Sequence, residues 1–225
     1  MTETPAPDTP DEQFDLEPFE IRVLGVLIEK AFVTPDSYPL SVNAIVSGCN
    51  QLTGREPVMS LSEQTVVDTL GRLMARRLVS RRDQAGARVQ KYEHLIRLRH
   101  SLPPPEQAVL ATLMLRGAQT PGEIRSRAER MYRFDDIAAV DAVLEHLAEK
   151  YPPMVAALPR APGTKETRYA HLLGGSQGLE QLAEAHTGNA PARGRTAELE
   201  EEVRRLRQEV DWLRGEFEKF RAQFE

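Results

Sequence analysis

The chain has 225 residues, 40% of them hydrophobic, and carries 29 Lys and Arg against 34 Asp and Glu for a formal charge of −5. That length suits one or two domains with buried cores. No apolar run approaches the ~18 residues of a membrane span. The acidic N-terminus has neither the basic end nor the apolar stretch of a signal peptide. Cys49 has no second cysteine to bridge to or to build a thiolate zinc cluster with. These features predict a soluble, cytoplasmic protein.

Residues 1–17 carry six acids and no base and are rich in proline, so they are expected to be a disordered acidic tail. A first domain is expected over residues 18–99. Pro18 suits the first turn of a helix, where the missing N–H leaves no bond unmade, and Ile21, Leu24, Val26, Leu27 and Ile28 form its apolar stripe. Ser41 is the predicted N-cap of a second, short helix, and Ser62 that of a third. The third helix carries Val66, Val67, Leu70, Leu73 and Met74 on one face. Strand candidates at 78–82 and 88–95 flank a turn containing Gly86. Three helices followed by a hairpin is the element order of a winged helix.

The chain then repeats itself. Residues 23–35 read VLGVLIEKAFVTP and residues 109–121 read VLATLMLRGAQTP. Val66, Leu70 and Leu73 likewise match Val140, Leu144 and Leu147, with a shorter middle connection in the second copy. A second domain over residues 100–173 is therefore predicted, with helices at 104–115, 121–130 and 136–150 and strands near 154–158 and 166–172. Residues 174–195 read as a linker. Residues 196–225 read as a coiled-coil helix with Val203, Val210, Phe217 and Phe224 at heptad position a and Leu199, Leu206, Leu213 and Phe220 at d. Glu202, Glu209 and Glu216 at g face Arg207, Arg214 and Arg221 at e, as in a parallel dimer. The alternative is a single helix that packs the same stripe on its own domain. The predicted fold class is thus mainly α with small β-hairpins: tandem winged helices followed by a C-terminal coiled coil.

Three strings, EKAFVTPDSYPLSVNAIVSGCNQLTGREPVMSLSE at 29–63, LVSRR and RVQKYEH at 78–82 and 88–94, and LMLRGAQTPGEIRSRAERMYRF at 113–134, resemble the bacterial YceH-like family of unknown function. The resemblance spans residues 18–173. It implies the tandem winged-helix architecture, and no established biochemical activity of the family carries over to this chain.

Function is read from surface chemistry. The segment from Arg72 to Arg99 sets nine cations against Asp83 and Glu93 alone, and such a block attracts polyanions whatever the total charge. On the third helix Gln64, Thr65, Thr69 and Arg72 are expected to face outward toward the major groove, with Arg76 beside them. Arg81, Arg82, Arg88 and Lys91 would meet phosphate from the wing. The leading expectation is a non-enzymatic, DNA-binding or transcription-regulatory protein whose partners are double-stranded DNA and a second copy of itself. The same block would equally solvate a surface or pair with the acidic tail, and the competing expectation is an adaptor for an unidentified protein. Asp136, Asp141, Glu145 and Glu149 make the second domain's third helix a poor DNA reader. Enzymatic chemistry finds no footing: five scattered histidines show no metal spacing, and no glycine-rich phosphate loop occurs, so no cofactor or metal is expected. Arg55–Glu56 is expected to fix a loop, and Cys49 to be a packed core residue.

Overall fold

The computed structural model describes residues 15–82, 89–160, 166–175 and 178–180. These residues are mainly α-helical, with two small antiparallel β-sheets. The predicted coil seam, most of the linker, both hairpin tips and residues 1–14 of the acidic tail lie outside them.

Helix α1 (Pro18–Val33) opens with a capping box in which the Glu17 N–H donates to the Glu20 carboxylate at 2.9 Å. A 3₁₀ turn (Pro35–Ser37) leads to the two-residue strand β1 (Leu40–Ser41) and then to α2 (Val42–Cys49) and α3 (Glu63–Ala75). Ser41 and Ser62 cap these helices as predicted, accepting from the Ala44 and Thr65 amides. Strands β2 (Val79–Arg82) and β3 (Lys91–His94) form a hairpin, and β1 adds to it in the order β1-β3-β2. The short helix α4 (Ile96–Arg99) ends this half.

The second half runs α5 (Pro104–Arg116), α6 (Pro121–Ala128), α7 (Ile137–Glu149), β4 (Val155–Ala157) and β5 (Tyr169–His171). Its contacts repeat those of the first half residue by residue. Leu40 lies opposite Tyr92 in the first sheet, and Gln119 bridges Tyr169 in the second half. Val79 pairs with His94, and Val155 with His171. The Leu78 amide donates to Leu73 and the Met154 amide to Leu147, in each case closing the third helix onto the following strand.

The shared Thr-Pro step does not mark equivalent places. Thr34 ends α1, whereas Thr120 is the N-cap of α6 and so the counterpart of Ser41. The second half's shortening is therefore split between the connections before and after its second helix.

Helix α1 is buried over a face much broader than one stripe: Val23, Leu24, Val26, Leu27 and Ile28 are fully covered. The reason is that α1 packs on α2 and α3 at one side and on α5 at the other. Gly25 sits at the α1–α5 crossing, where a Cβ would come within 3.1 Å of the Leu115 side chain. The position at the same point of the repeat on α5 is Ala111, also fully buried. The missing side chain at Gly25 thus lets α5 approach α1 closely, and the two halves share one core. The N-terminal lead-in joins it as well: Leu16, expected within the disordered tail, is buried, and its N–H donates to the Leu173 carbonyl at 2.8 Å.

His94 and His171 occupy the same register position in the two hairpins, and burial pushes both imidazoles down to about 4. An unfolded histidine titrates near ~6.5, so between those values the unfolded chain takes up protons that the folded chain refuses, and stability falls as pH falls. His171→Gln should flatten this dependence. In urea titrations between about pH 7 and about pH 4, the wild type should lose on the order of 3 kcal/mol more than the variant. Equal losses would show that His171 is protonated in the folded protein.

Candidate nucleic-acid interface

Helix α3 buries Val66, Thr69, Leu70 and Leu73, a stripe at helical spacing. Thr69, expected to face outward, is fully buried, with its hydroxyl donating to the Thr65 carbonyl at 2.7 Å. That bond satisfies the hydroxyl within its own helix, so a threonine is tolerated on the core face. Val67 shows the converse shift: assigned to the core stripe, it is 41% exposed. Thr65 is half-buried and bonded to Ser62 at the cap, and exposed Gln64 donates to the Asp68 carboxylate at 2.8 Å. The outward face of α3 carries Glu63, Gln64, Val67, Asp68 and Gly71, two acids beside an amide, an apolar side chain and a glycine, with the Arg72 side chain 44% exposed.

Arg72 and Arg76 turn toward α1. Arg72 lies 3.3 Å from Glu17 and 3.5 Å from Glu20, and Arg76 lies 3.8 Å from the same Glu20 oxygen. Glu20 is 1% exposed and caps the start of α1 with its other oxygen. A buried carboxylate needs cations or donors around it, and two arginines one helical turn apart supply them. The second half has the same device. Buried Glu106 on α5 faces His146 at 2.5 Å and Lys150 at 3.2 Å, again one turn apart on the third helix. Composition and hydrophobic periodicity do not expose this clasp. Its signal is the repeated Pro-x-Glu at 18–20 and 104–106, read together with basic residues at the matching offsets on α3 and α7.

The hairpin holds the remaining candidates. Arg81 and Arg82 are exposed on β2, and Lys91 is half-buried on β3. Arg82 donates to Glu93 at 2.7 Å while keeping 63% of its side chain exposed. Ser80 donates to the same carboxylate at 3.0 Å. Arg97 and Arg99 are exposed just beyond, on α4. Arg88 lies outside the described residues.

The Arg55–Glu56–Pro57–Val58 string fixes the α2–α3 loop. Arg55, 6% exposed, grips Glu29 with both terminal nitrogens, at 2.6 and 3.2 Å, and donates from Nε to the Gly48 carbonyl. Burial acts to raise the Glu29 carboxyl, but the Arg55 hydrogen bonds and charge, with Lys30, hold it below its ordinary value. Arg22, fully buried, donates to the Cys49 and Pro57 carbonyls. Burial pushes the Cys49 thiol up to about 12, so it packs rather than reacts. In the second half Arg125 donates to the Phe134 and Asp135 carbonyls and closes the α6–α7 turn. Asp141, Glu145 and Glu149 stand exposed on α7.

Among the described residues no cluster of His, Cys, Asp or Glu could hold a metal ion, and no helix is long and apolar enough to cross a membrane. The fold and surface are those of a helical module with small sheets, with exposed cations on the first hairpin and α4 (Arg81, Arg82, Arg97, Arg99) and a second group on α6 and the turn after it (Arg125, Arg127, Arg130, Arg133). The family described as "Protein of unknown function, DUF480" matches residues 16–164. The chain is 75% identical over 201 residues to a UPF0502 protein of Aromatoleum aromaticum, covering 88% of each chain. It is 72% identical over 210 residues to one of Azoarcus sp. (strain BH72), covering 92% of each. A more distant UPF0502 protein, from Vibrio parahaemolyticus, is 45% identical over 198 residues, covering 86% of this chain and 92% of its own. The protein belongs to this uncharacterised bacterial DUF480/UPF0502 family.

Removing one clasp should loosen one half. Glu20→Gln and Glu106→Gln should each lower unfolding free energy by about 1–2 kcal/mol, the half-exposed cations limiting the effect. Combining Glu20→Gln with Arg72→Met should lose less than the sum of the single changes. Full additivity in urea denaturation would show that the two side chains do not interact.

Proposed function

We propose that the protein is a non-enzymatic tandem winged-helix protein that binds double-stranded DNA through its first hairpin, reading phosphate positions rather than base edges. The winged helices span residues 18–99 and 100–173, and the chain dimerises through the coil at 196–225. The architecture is supported by the order helix, short strand, helix, helix, hairpin in the first half, by the β1-β3-β2 sheet, and by the matching contacts of the second half. The resemblance to the YceH-like family implies the same architecture. The observation that carries the DNA reading is the exposed pair Arg81 and Arg82 on β2, with Arg97 and Arg99 close behind on α4.

The manner of binding follows from where the other cations go. Arg72 and Arg76 face Glu20, and Thr69 is buried, so α3 has little to offer a base edge. Cations on a hairpin meet the backbone, which gives affinity and salt dependence without sequence discrimination. The second reading is a protein adaptor. The outward faces of α3 and α7 favour it, since both set acids beside uncovered Val67 and Ile137.

Fluorescence anisotropy with a random-sequence duplex should show log affinity falling against log salt with a slope of about −4 or steeper. Arg81→Ala, Arg82→Ala and Arg88→Ala together should abolish this binding. Undiminished binding by that variant would move the DNA contact away from the hairpin, and no binding by the wild type at low salt would leave the adaptor reading. Leu206→Pro with Leu213→Pro should convert a sedimenting dimer to a monomer, and a persistent dimer would place self-association elsewhere.

A further inference from the structure

Between the first hairpin and the start of α5 lies a cleft of about 360 Å³, within the ~300–1,000 Å³ range of small-molecule pockets. Its apolar surface comes from Ala31 and Phe32 at the end of α1 and from Leu98 on α4. Leu98 is 68% exposed, a large side chain left uncovered beside a hollow.

The polar groups of the cleft differ in what they still require. Tyr38 Oη accepts the His94 N–H at 2.7 Å, which leaves its own proton to donate. His94 Nδ1 is buried and has no hydrogen-bond partner among the described residues. Burial keeps the His94 ring neutral at pH 7, with Glu93 and Arg97 pulling in opposite directions on it. The Arg82 charge is met by Glu93. Arg97 lines the same cleft and forms no ion pair among the described residues. The uncompensated charge of the cleft is thus one positive charge, set beside an apolar wall and near hydrogen-bonding groups.

We propose that this cleft binds a small aromatic carboxylate, with the carboxylate on Arg97 and the ring against Phe32 and Leu98. A single anionic head satisfies Arg97 without an additional cation, and a flat apolar body covers the wall that water now meets. A dianion or a sugar phosphate would bring charge that nothing else in the cleft answers. The walls come from α1, the first hairpin, α4 and the start of α5, so such a ligand touches both halves of the molecule and the base of the hairpin at once. This makes the site a place where a metabolite of that class could set the hairpin's position, independently of whether the hairpin contacts DNA.

The test is isothermal titration of the full chain with benzoate, with benzamide and benzylamine as neutral and cationic counterparts and acetate at matched ionic strength as a salt control. Benzoate should bind the wild type and raise its melting temperature. Benzamide should bind about ten-fold more weakly or not at all, because a charge-assisted hydrogen bond is lost. Arg97→Ala should lose at least about ten-fold in benzoate affinity, and Leu98→Asp a similar amount, with circular dichroism unchanged because both side chains are exposed. The proposal is overturned if benzoate shows no binding at millimolar concentration, if benzamide binds equally, or if Arg97→Ala binds benzoate as the wild type does.

Discussion

A buried carboxylate in the first turn of the leading helix, faced by two basic side chains one turn apart on the third helix, recurs in both halves of this protein. Glu20 serves two needs at once. One oxygen closes the capping box that starts α1, and the other faces Arg72 and Arg76. Glu106 fills the same place before His146 and Lys150. The carboxylate cannot be solvated where it stands, so the third helix must bring its cations inward. That single requirement fixes how α3 is rotated, and with it which side chains α3 can present to a partner. The arginines that would make α3 a base reader are spent on its docking to α1. What α3 keeps outward is mostly acidic, amide or apolar, and the exposed positive charge of the first half stands mainly on the hairpin and α4.

The second constraint is the pairing of α1 with α5. Each half is too small to cover its leading helix on every side, and the two leading helices cover each other. Gly25 keeps the crossing close, where a Cβ would press on Leu115 and Met114. Backbone bonds across the halves, from Leu16 to Leu173 and from Glu56 to Leu115, tie the periphery to the same joint. The Arg55 grip on Glu29 and the Arg22 bonds to Cys49 and Pro57 hold the α2–α3 loop so that Glu56 can reach α5. A loop string that reads as chemistry in isolation therefore works as a brace between the halves. The cleft beside Arg97 lies along the same joint, which is why its walls draw on both halves.

Much of this fold was legible in the residues. The long helices announce themselves by periodicity, and Ser41 and Ser62 by capping chemistry. The hairpins stand where two short β-rich runs flank a turn. Elements below the length of any period escaped: β1 has two residues and α4 has four, and both owe their form to the neighbours they meet. Thr69 and Val67 exchanged places because five apolar-looking positions were assigned to a stripe that geometry limits to four. Thr69, small and able to bond its own helix, took the inner position. The Thr-Pro match misled for a different reason, since identical letters after unequal helix exits need not be equivalent residues. The site was the least legible part. Charge composition identifies the basic block but not which arginines are answered by an acid, and that depends on a carboxylate fifty residues away in the chain.

Arg72 and Arg76 face Glu20, so under the proposed DNA reading they hold the first half together and leave the duplex to the hairpin. Duplex affinity of Arg72→Ala with Arg76→Ala, measured by anisotropy under conditions where the variant remains folded by circular dichroism, tests it directly. The expected result is a less stable protein whose affinity stays within about two-fold of the wild type, corresponding to a binding free-energy change below about 0.5 kcal/mol. A loss of affinity as large as that from removing the hairpin arginines would contradict it, and would return α3 to the role of the DNA-contacting helix.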